Sequence, residues 1–183
     1  GRGNELSIYE DEGNAWDFQP DYRGRAIGHP RLTSASYHTD GPRACAHLVF
    51  ELEHSRIEEN VMLTEGSARI DIETKLVWRD AKRAVRVAFD TAILAPHARY
   101  GIQFGYIDRA THSNTSWDLA QEEVVGQQWV DLSQRDAGLA LLSDAKYGHR
   151  IKGKRMEICL LRSVPYPNIQ FSEKSDLLVE ERY

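Results

Sequence analysis

Ile70-Asp-Ile-Glu-Thr-Lys-Leu-Val-Trp78 is the stretch of sequence that decides the fold class. Its even-numbered positions carry apolar residues or threonine, while positions 71, 73 and 75 are charged. A period of two places one set of side chains on a buried face of a strand and the other set in water. After the polar segment Arg79-Asp-Ala-Lys82, the run Arg83-Ala-Val-Arg-Val-Ala-Phe-Asp90 alternates again. The two runs predict a β-hairpin whose turn lies at Arg79–Lys82.

Further short strands are predicted on both sides of this pair. Turn-forming segments such as Ser133–Gly138 and Lys146–His149 separate them, and few stretches have helical periodicity. The segment from Trp117 to Val125 carries a helical hint, but it is short and poorly periodic, so we predict a strand and a loop there. Short strands at regular intervals favour an all-β fold, an antiparallel β-sandwich. The other strands are predicted at Leu48–Leu52, Tyr100–Tyr106, Glu122–Trp129, Leu139–Leu142 and Met156–Leu161.

The length of 183 residues fits a single domain that spans residues 1–183. Residues 20–43 are rich in Pro, Gly, Arg, His and Ser, which predicts a long surface loop. Residues 173–183 are charged and weakly patterned, which predicts a weakly structured tail. Neither end of the chain reads as a domain boundary, so we expect a fragment of a larger protein.

Composition excludes several functional classes. Apolar residues make up 41% of the chain and charged residues 28%, with a net charge of −5, as expected for a folded, well-solvated protein. Acidic and basic residues are interspersed, so we predict no nucleic-acid partner. No window approaches eighteen apolar residues and no secretory signal is present, which predicts a soluble protein without a membrane partner. Cys45 and Cys159 lie among apolar residues, which favours two buried free thiols and a reducing, cytoplasmic location.

Motifs for common enzyme chemistry are absent from the sequence. There is no HExxH, no glycine-rich phosphate loop and no Gly-x-Ser-x-Gly elbow. The histidines, including His38, His47 and His54, lack the close spacing of a zinc site, so no metal site is predicted in this chain. A glycosidase needs two carboxyl groups on opposite sides of the scissile bond, and sequence alone does not show such a pair among 28 acidic residues. Asp17, Asp118 and Glu123 are therefore each expected, like most acidic residues here, on wet strand faces and in loops.

Two segments combine aromatic and polar residues in the way that sugar-binding surfaces do: Asn14-Ala-Trp-Asp-Phe18 and His112-Ser-Asn-Thr-Ser-Trp-Asp118. The second is too dense in hydrogen-bonding groups to be buried without partners, so it either faces a cleft or is tightly bonded to itself. The alternative for Trp16 and Trp117 is that both are core aromatics whose polar neighbours cap turns.

Several ordered segments together resemble the C-terminal region of family 38 α-mannosidases, in the branch that includes cytosolic and bacterial members. The resemblance is strong over residues 100–163, fair over 5–20 and 69–92, and poor elsewhere. It rests on Glu10–Asp17, Tyr100–Arg109, Thr111–Asp118, Gln128–Ser133, Gly138–Leu142, Asp144–Gly148 and Leu160–Ser163. Ala110 stands where the family usually has proline, Gln121-Glu-Glu123 replaces a more aromatic run, and Ser143 replaces a common asparagine.

The resemblance implies retaining hydrolysis of α-mannosides by a parent enzyme. The Asp nucleophile, the acid/base carboxylate and a divalent metal, usually zinc, would belong to a catalytic domain whose motifs are absent here, so this chain would carry no cofactor and no catalytic residue. The C-terminal region is similar to a mutarotase-like supersandwich, of which this chain would be a truncated part, and that sandwich would pack on the catalytic domain and close part of the cleft. The resemblance also implies that His112, Asn114, Trp117 and Asp118 are the candidate contacts to mannose-containing oligosaccharides.

Two other functional classes stay open from the sequence. One is a free-standing carbohydrate-binding module that keeps the aromatic and polar loops. The other is a structural or oligomerisation domain, for which a homo-oligomer is a possible assembly.

Overall fold

The computed structural model describes residues 2–13, 15–16, 21–164 and 179–182. These residues form a 3-10 helix η1 (Tyr22–Arg25), a short helix α1 (Ser116–Ala120) and a set of antiparallel strands. The strands are β1 (Glu5–Glu10), β2 (Ala26–Gly28), β3 (Arg31–Asp40), β4 (Arg43–Glu51), β5 (Arg56–Thr64), β6 (Ile70–Trp78), β7 (Arg83–Asp90), β8 (His97–Ile102), β9 (Gly105–Ala110), β10 (Val124–Val125), β11 (Trp129–Ser133), β12 (Gly138–Leu142), β13 (Gly148–Lys152), β14 (Arg155–Arg162) and β15 (Val179–Arg182).

Three sheets build the sandwich. The six-stranded sheet has the order β10-β13-β14-β7-β1-β2, the five-stranded sheet the order β15-β6-β5-β4-β3, and the four-stranded sheet the order β12-β11-β8-β9. The prediction of an all-β antiparallel sandwich is confirmed.

Two apolar clusters lie on the same face of the six-stranded sheet. Met156 and Ile158 are two residues apart on β14 and therefore share that face, yet Met156 packs in one cluster and Ile158 in the other. The Ile158 cluster is completed by Ile57 of β5 and by Leu76 and Trp78 of β6, so the five-stranded sheet covers this part of the face. In the Met156 cluster, Tyr100, Val130 and Leu132 come from the four-stranded sheet. The five-stranded and four-stranded sheets therefore together form the layer opposite the six-stranded sheet.

The predicted hairpin at residues 70–90 is wrong. β6 pairs with β5 and β15 in one sheet, whereas β7 pairs with β1 and β14 in the other. Alternation correctly showed that Leu76 and Val85 are buried, but they face each other across the layers. The connection is an arch that Ser55 holds, because its hydroxyl oxygen accepts the N–H groups of Arg79 at 2.8 Å and Asp80 at 3.1 Å.

The long loop predicted at residues 20–43 is also wrong, since η1, β2 and β3 lie within it. All ten residues of β3 are exposed, so this edge strand carries no alternation of buried and wet positions for a sequence pattern to reveal. The helix α1 stands where a strand and a loop were predicted. Of the tail predicted at 173–183, residues 173–178 and Tyr183 lie outside the described residues, while Val179–Arg182 pairs with β6 as β15.

None of the helices in the described part of the chain is long and apolar enough to cross a membrane. Cys45 and Cys159 are both free and half-buried. They lie on β4 and β14, which belong to different sheets.

Candidate functional site

The loop that follows β9, residues 111–118, begins at a fixed point. Thr111 is buried, and its hydroxyl donates a hydrogen bond to the carbonyl oxygen of Ala95 at 2.5 Å. Its backbone N–H donates to Pro96 at 3.0 Å, and its carbonyl accepts the N–H of Gly153 at 2.7 Å. These three bonds attach the start of the loop to two neighbouring segments and leave it little freedom to move.

A capping box closes the same loop around the start of α1. The hydroxyl of Thr115 accepts the N–H of Asp118 at 3.1 Å, and Oδ2 of Asp118 accepts the N–H of Thr115 at 3.1 Å. His112 Nδ1 lies 3.4 Å from the same Oδ2. The hydrogen bond from the Thr115 side chain, helped by the charges of His112 and Lys152, lowers the pKa of the Asp118 carboxyl. The carboxylate of Asp118 is therefore engaged by its own loop.

Asn114 and Trp117 lie in the same loop, and both are exposed. Trp117 has 81% of its surface in water, although tryptophan is among the residues that gain most from burial. The structure thus brings His112 and Asp118 together at the cap and leaves Asn114 and Trp117 available to an external partner. The interpretation of Trp117 as a core aromatic is wrong.

Trp16, in the other aromatic and polar segment, is 79% exposed, which also contradicts a core position. Asn14, Asp17 and Phe18 lie outside the described residues.

Lys152 of β13 supports the loop from beneath. Its Nζ donates to the carbonyl oxygens of His112 at 3.2 Å and of Asp118 at 3.1 Å, which joins both ends of the loop to one side chain. Burial lowers the pKa of Lys152. This lysine was not identified from the sequence, because it lies 34 residues from Asp118.

The residues after α1 are held by two arginines of the six-stranded sheet. Glu122 accepts a hydrogen bond from Nε of Arg150 at 2.5 Å, and Glu123 pairs with Arg86. Arg86 is 1% exposed, so its guanidinium lies inside the protein. The segment from His112 to Glu123 is therefore fixed along its length by Lys152, Arg150 and Arg86.

Glu157 of β14 joins these arginines into one network. Its Oε2 lies 2.8 Å from Nη1 of Arg23 and 3.1 Å from Nε of Arg86, while Oε1 lies 3.0 Å from Nε of Arg155 and 3.5 Å from Nη1 of Arg150. Burial acts to raise the pKa of Glu157, but the hydrogen bond from Arg23 and the charge of Arg86 outweigh it, so the pKa is lowered. We name this group, Arg23, Arg86, Arg150, Arg155 and Glu157, the arginine cluster.

The arginine cluster was missed at the level of sequence. The sequence contains one local sign of it. Arg86 interrupts the apolar run of β7, and Glu157 interrupts the apolar run of β14. A charged residue inside a strand normally indicates a wet face, and here the face is covered by η1, whose Tyr22 is 1% exposed.

A group that could hold a metal ion forms among the described residues at Glu53, His54 and Asp80, whose ligand atoms lie within 4.8 Å of one another. Glu53 and His54 belong to the β4–β5 turn and Asp80 to the arch after β6, so sequence spacing did not reveal the group. Glu53 and His54 are exposed and pair with each other at 3.6 Å. Such an exposed pair does not fit a metal that must grip a sugar in a closed cleft.

The family comparison agrees with the sequence resemblance. A family model described as "Glycosyl hydrolases family 38 C-terminal domain" matches residues 1–170.

Curated relatives are much longer than this chain. It is 49% identical over 112 residues to Alpha-mannosidase G of Dictyostelium discoideum, covering 61% of this chain and 10% of that protein. It is 34% identical over 166 residues to Alpha-mannosidase 2C1 of Mus musculus, covering 90% of this chain and 16% of that protein. The chain therefore spans about a tenth to a sixth of these relatives.

Among solved structures, an alpha-mannosidase from Enterococcus faecalis V583 superposes with a TM-score of 0.77 at 12% identity. The match covers 89% of this chain and 22% of that one. This likeness shows that the two share a fold.

Proposed function

Because the chain belongs to the family of glycosyl hydrolase family 38 C-terminal domains, we propose that it is the non-catalytic β-sandwich of a longer α-mannosidase. In that protein it packs on the catalytic domain, and the loop His112–Asp118 closes part of the substrate cleft. Asn114 and Trp117 are the proposed contacts to mannose-containing oligosaccharides, and His112 and Asp118 hold the loop in shape.

The observation that carries this proposal is the contrast between a fixed backbone and an exposed aromatic. Thr111, Thr115 and Lys152 fix the loop, yet Trp117 is 81% exposed. A loop that is ordered before binding loses little entropy when a ligand arrives. An exposed indole offers a flat apolar surface to the C–H face of a sugar ring, and the neighbouring Asn114 offers both a donor and an acceptor to hydroxyl groups.

The state of the carboxyl groups supports a non-catalytic role. A glycosidase acid needs a raised pKa and access to the glycosidic oxygen. Burial raises the pKa of Glu59 to about 7, but Glu59 is 1% exposed between the sheets and is out of reach of a substrate. Glu157 and Asp118 have lowered pKa values, which suits ion pairs and caps better than proton donation.

We assign the remaining chemistry to the rest of the longer protein. The catalytic domain is the partner of this chain, and it would hold the zinc or other divalent ion that polarises and positions the sugar hydroxyls. A cytoplasmic location is also proposed, because the two free cysteines suit a reducing compartment.

The test is hydrolysis of an aryl α-mannoside by the longer protein and by residues 1–183 alone. We expect activity from the longer protein only. Trp117→Ala in the longer protein should raise KM by about tenfold, which corresponds to about 1.4 kcal/mol of lost binding. Leu142→Ala, which removes an apolar side chain that is 71% exposed outside the loop, is the matched control and should leave KM unchanged. Turnover by residues 1–183 alone at a rate typical of glycosidases would contradict the non-catalytic role.

A free-standing carbohydrate-binding module is the second candidate, and the exposed Trp117 favours it too. Titration of residues 1–183 with mannose oligosaccharides, followed by tryptophan fluorescence, separates the two. Tight binding by the isolated chain that Trp117→Ala abolishes would favour the module. Absence of binding together with a stable assembly in light scattering would favour a structural or oligomerisation domain.

A further inference from the structure

Most side chains on the inner face of the five-stranded sheet are apolar. Strand register places the side chains of this face in rows that run across β3, β4, β5 and β6. The first row, which we call the core row, is Leu32, Phe50, Ile57 and Leu76; Ile57 and Leu76 are fully buried in it, whereas Leu32 at the sheet edge is 51% exposed. The next row is Ala35, Leu48, Glu59 and Thr74. Two rows follow: Tyr37, Ala46, Val61 and Ile72, then Thr39, Ala44, Leu63 and Ile70. We name the last two rows the distal apolar face.

The six-stranded sheet stops at the second of these rows. Asn4, which directly precedes β1, donates from Nδ2 to Oε2 of Glu59 at 2.6 Å. On the neighbouring strand β7, Asp90 is the last residue, and its N–H bonds to the carbonyl oxygen of Arg2. The covering layer thus ends over Glu59, and the distal apolar face continues beyond it.

Exposure confirms that the described residues leave this face open. Tyr37 is 76% exposed, Ile70 59% and Leu63 49%, while Val61 and Ile72 between them are half-buried. By contrast Ile57, in the core row of the same strand as Leu63, is fully buried. The same pattern of side chains therefore forms a core at one end of the sheet and a surface at the other.

The opposite face of these strands is polar. His47, Asn60 and Glu73 form a hydrogen-bonded line across β4, β5 and β6, with His47 Nδ1 2.8 Å from Oδ1 of Asn60 and Nδ2 of Asn60 donating to Glu73 at 3.2 Å. A sheet with one polar and one apolar face normally buries the apolar face against another layer. The distal apolar face therefore has the character of a surface that is covered in the working protein.

We propose that another part of the longer polypeptide, presenting an apolar layer, packs on the distal apolar face and along the open edge of β3. This inference rests on the proposed function only in that the chain is one part of a longer α-mannosidase.

Two observations select this occupant. The chain spans 16% or less of the relatives from Dictyostelium and mouse, so most of their polypeptide lies outside it. A covalently attached layer has a high effective concentration and outcompetes a second copy of the chain at ordinary protein concentrations. In addition, β3 borders the face as an edge strand exposed at all ten residues, and long open edges are usually covered in native proteins.

The test measures access to the face in the longer protein. Leu63→Cys places a thiol on the distal apolar face, and Thr64→Cys places one on the opposite face of the same strand. Each variant is treated with a maleimide, and labelling of the peptide that contains the new thiol is followed by mass spectrometry. Leu63 is half exposed, so this substitution is compatible with folding.

If the face is covered, the thiol of Leu63→Cys reacts at least about tenfold more slowly than that of Thr64→Cys, because labelling waits for local opening. Equal rates, or a faster rate at Leu63→Cys, would overturn the proposal. Protection that is lost on dilution, together with a dimer in light scattering, would assign the face to a second copy and would also overturn it. Thiol labelling does not depend on hydrolysis, so the proposed packing can be contradicted without contradicting the α-mannosidase assignment, and the reverse.

Discussion

Arg86 and Glu157 form an ion pair inside the protein, with Nε of Arg86 3.1 Å from Oε2 of Glu157 and each side chain 1% exposed. They lie on neighbouring strands, β7 and β14. Burying both charges costs free energy that is recovered only where each group has enough partners. Glu123 supplies a second partner to Arg86, and Arg23 a second to Glu157. The pair therefore joins η1 and the segment after α1 to the six-stranded sheet.

Replacing Arg86 tests this role. Arg86→Met should lower the free energy of unfolding by about 3 to 5 kcal/mol, because Glu123 and Glu157 both lose a buried partner. Urea unfolding at neutral pH measures the change. Arg31→Met is the control, since Arg31 and Glu51 form an exposed pair whose loss should cost less than about 1 kcal/mol. Equal effects of the two substitutions would show that the arginine cluster contributes nothing special to stability.

Glu59 should make the domain less stable as pH rises. Burial raises its folded pKa from 4.5 to about 7, so its contribution to stability is fully present below pH 4.5 and is lost as pH rises through 7. The loss approaches about 3 kcal/mol at pH 8, on the scale of 1.4 kcal/mol for each pKa unit. Because His149 contributes in the opposite direction, urea unfolding from pH 5 to pH 8 is compared between the wild type and Glu59→Gln, which is neutral at every pH at this position. The free energy of unfolding of the wild type minus that of Glu59→Gln should fall as pH rises, and a difference that does not change with pH would place the titration at another group.

The fold class could be predicted from the sequence because alternation reports which side chains are buried. It does not report which strand lies beside which, so Leu76 and Val85 were placed correctly in a core and wrongly in one hairpin. β3 gave no such signal, since both of its faces are exposed.

In the candidate site, too, contacts between residues close in sequence could be predicted, and contacts between distant residues could not. The density of hydrogen-bonding groups in residues 112–118 predicted a loop that bonds to itself or faces a cleft, and the cap between Thr115 and Asp118 confirms self-bonding. The supports of that loop come from far along the chain: Lys152 lies 34 residues from Asp118, and Arg86 lies 37 residues from Glu123. Separations of this size follow from the topology of the sheets, which no local pattern records.

His149 should make the domain less stable in acid. It is 1% exposed, and burial lowers its pKa from 6.5 to about 4. Because the folded state binds this proton more weakly than the unfolded state, stability is lost as pH falls from 6.5 towards 4. Glu59 acts in the opposite direction over this range, so the test compares proteins at each pH. The thermal midpoint of His149→Phe minus that of the wild type should rise as pH falls from 7 to 4.5, and a difference that does not change with pH would assign the acid sensitivity to other groups.

Gly101 and Gly105 flank the turn between β8 and β9, and replacing each with alanine should affect stability differently. A Cβ at Gly101 would lie 2.5 Å from the backbone oxygen of Gln127 and 2.9 Å from Nε1 of Trp129. A backbone atom cannot yield as a flexible side chain does, so Gly101→Ala must displace the segment that leads into β11, at a cost of about 1 to 3 kcal/mol. A Cβ at Gly105 would meet nothing within 4 Å, so Gly105→Ala should change stability by less than about 0.5 kcal/mol. Urea unfolding of the two variants side by side tests the pair, and similar losses would mean that the close approach at Gly101 does not limit the fold.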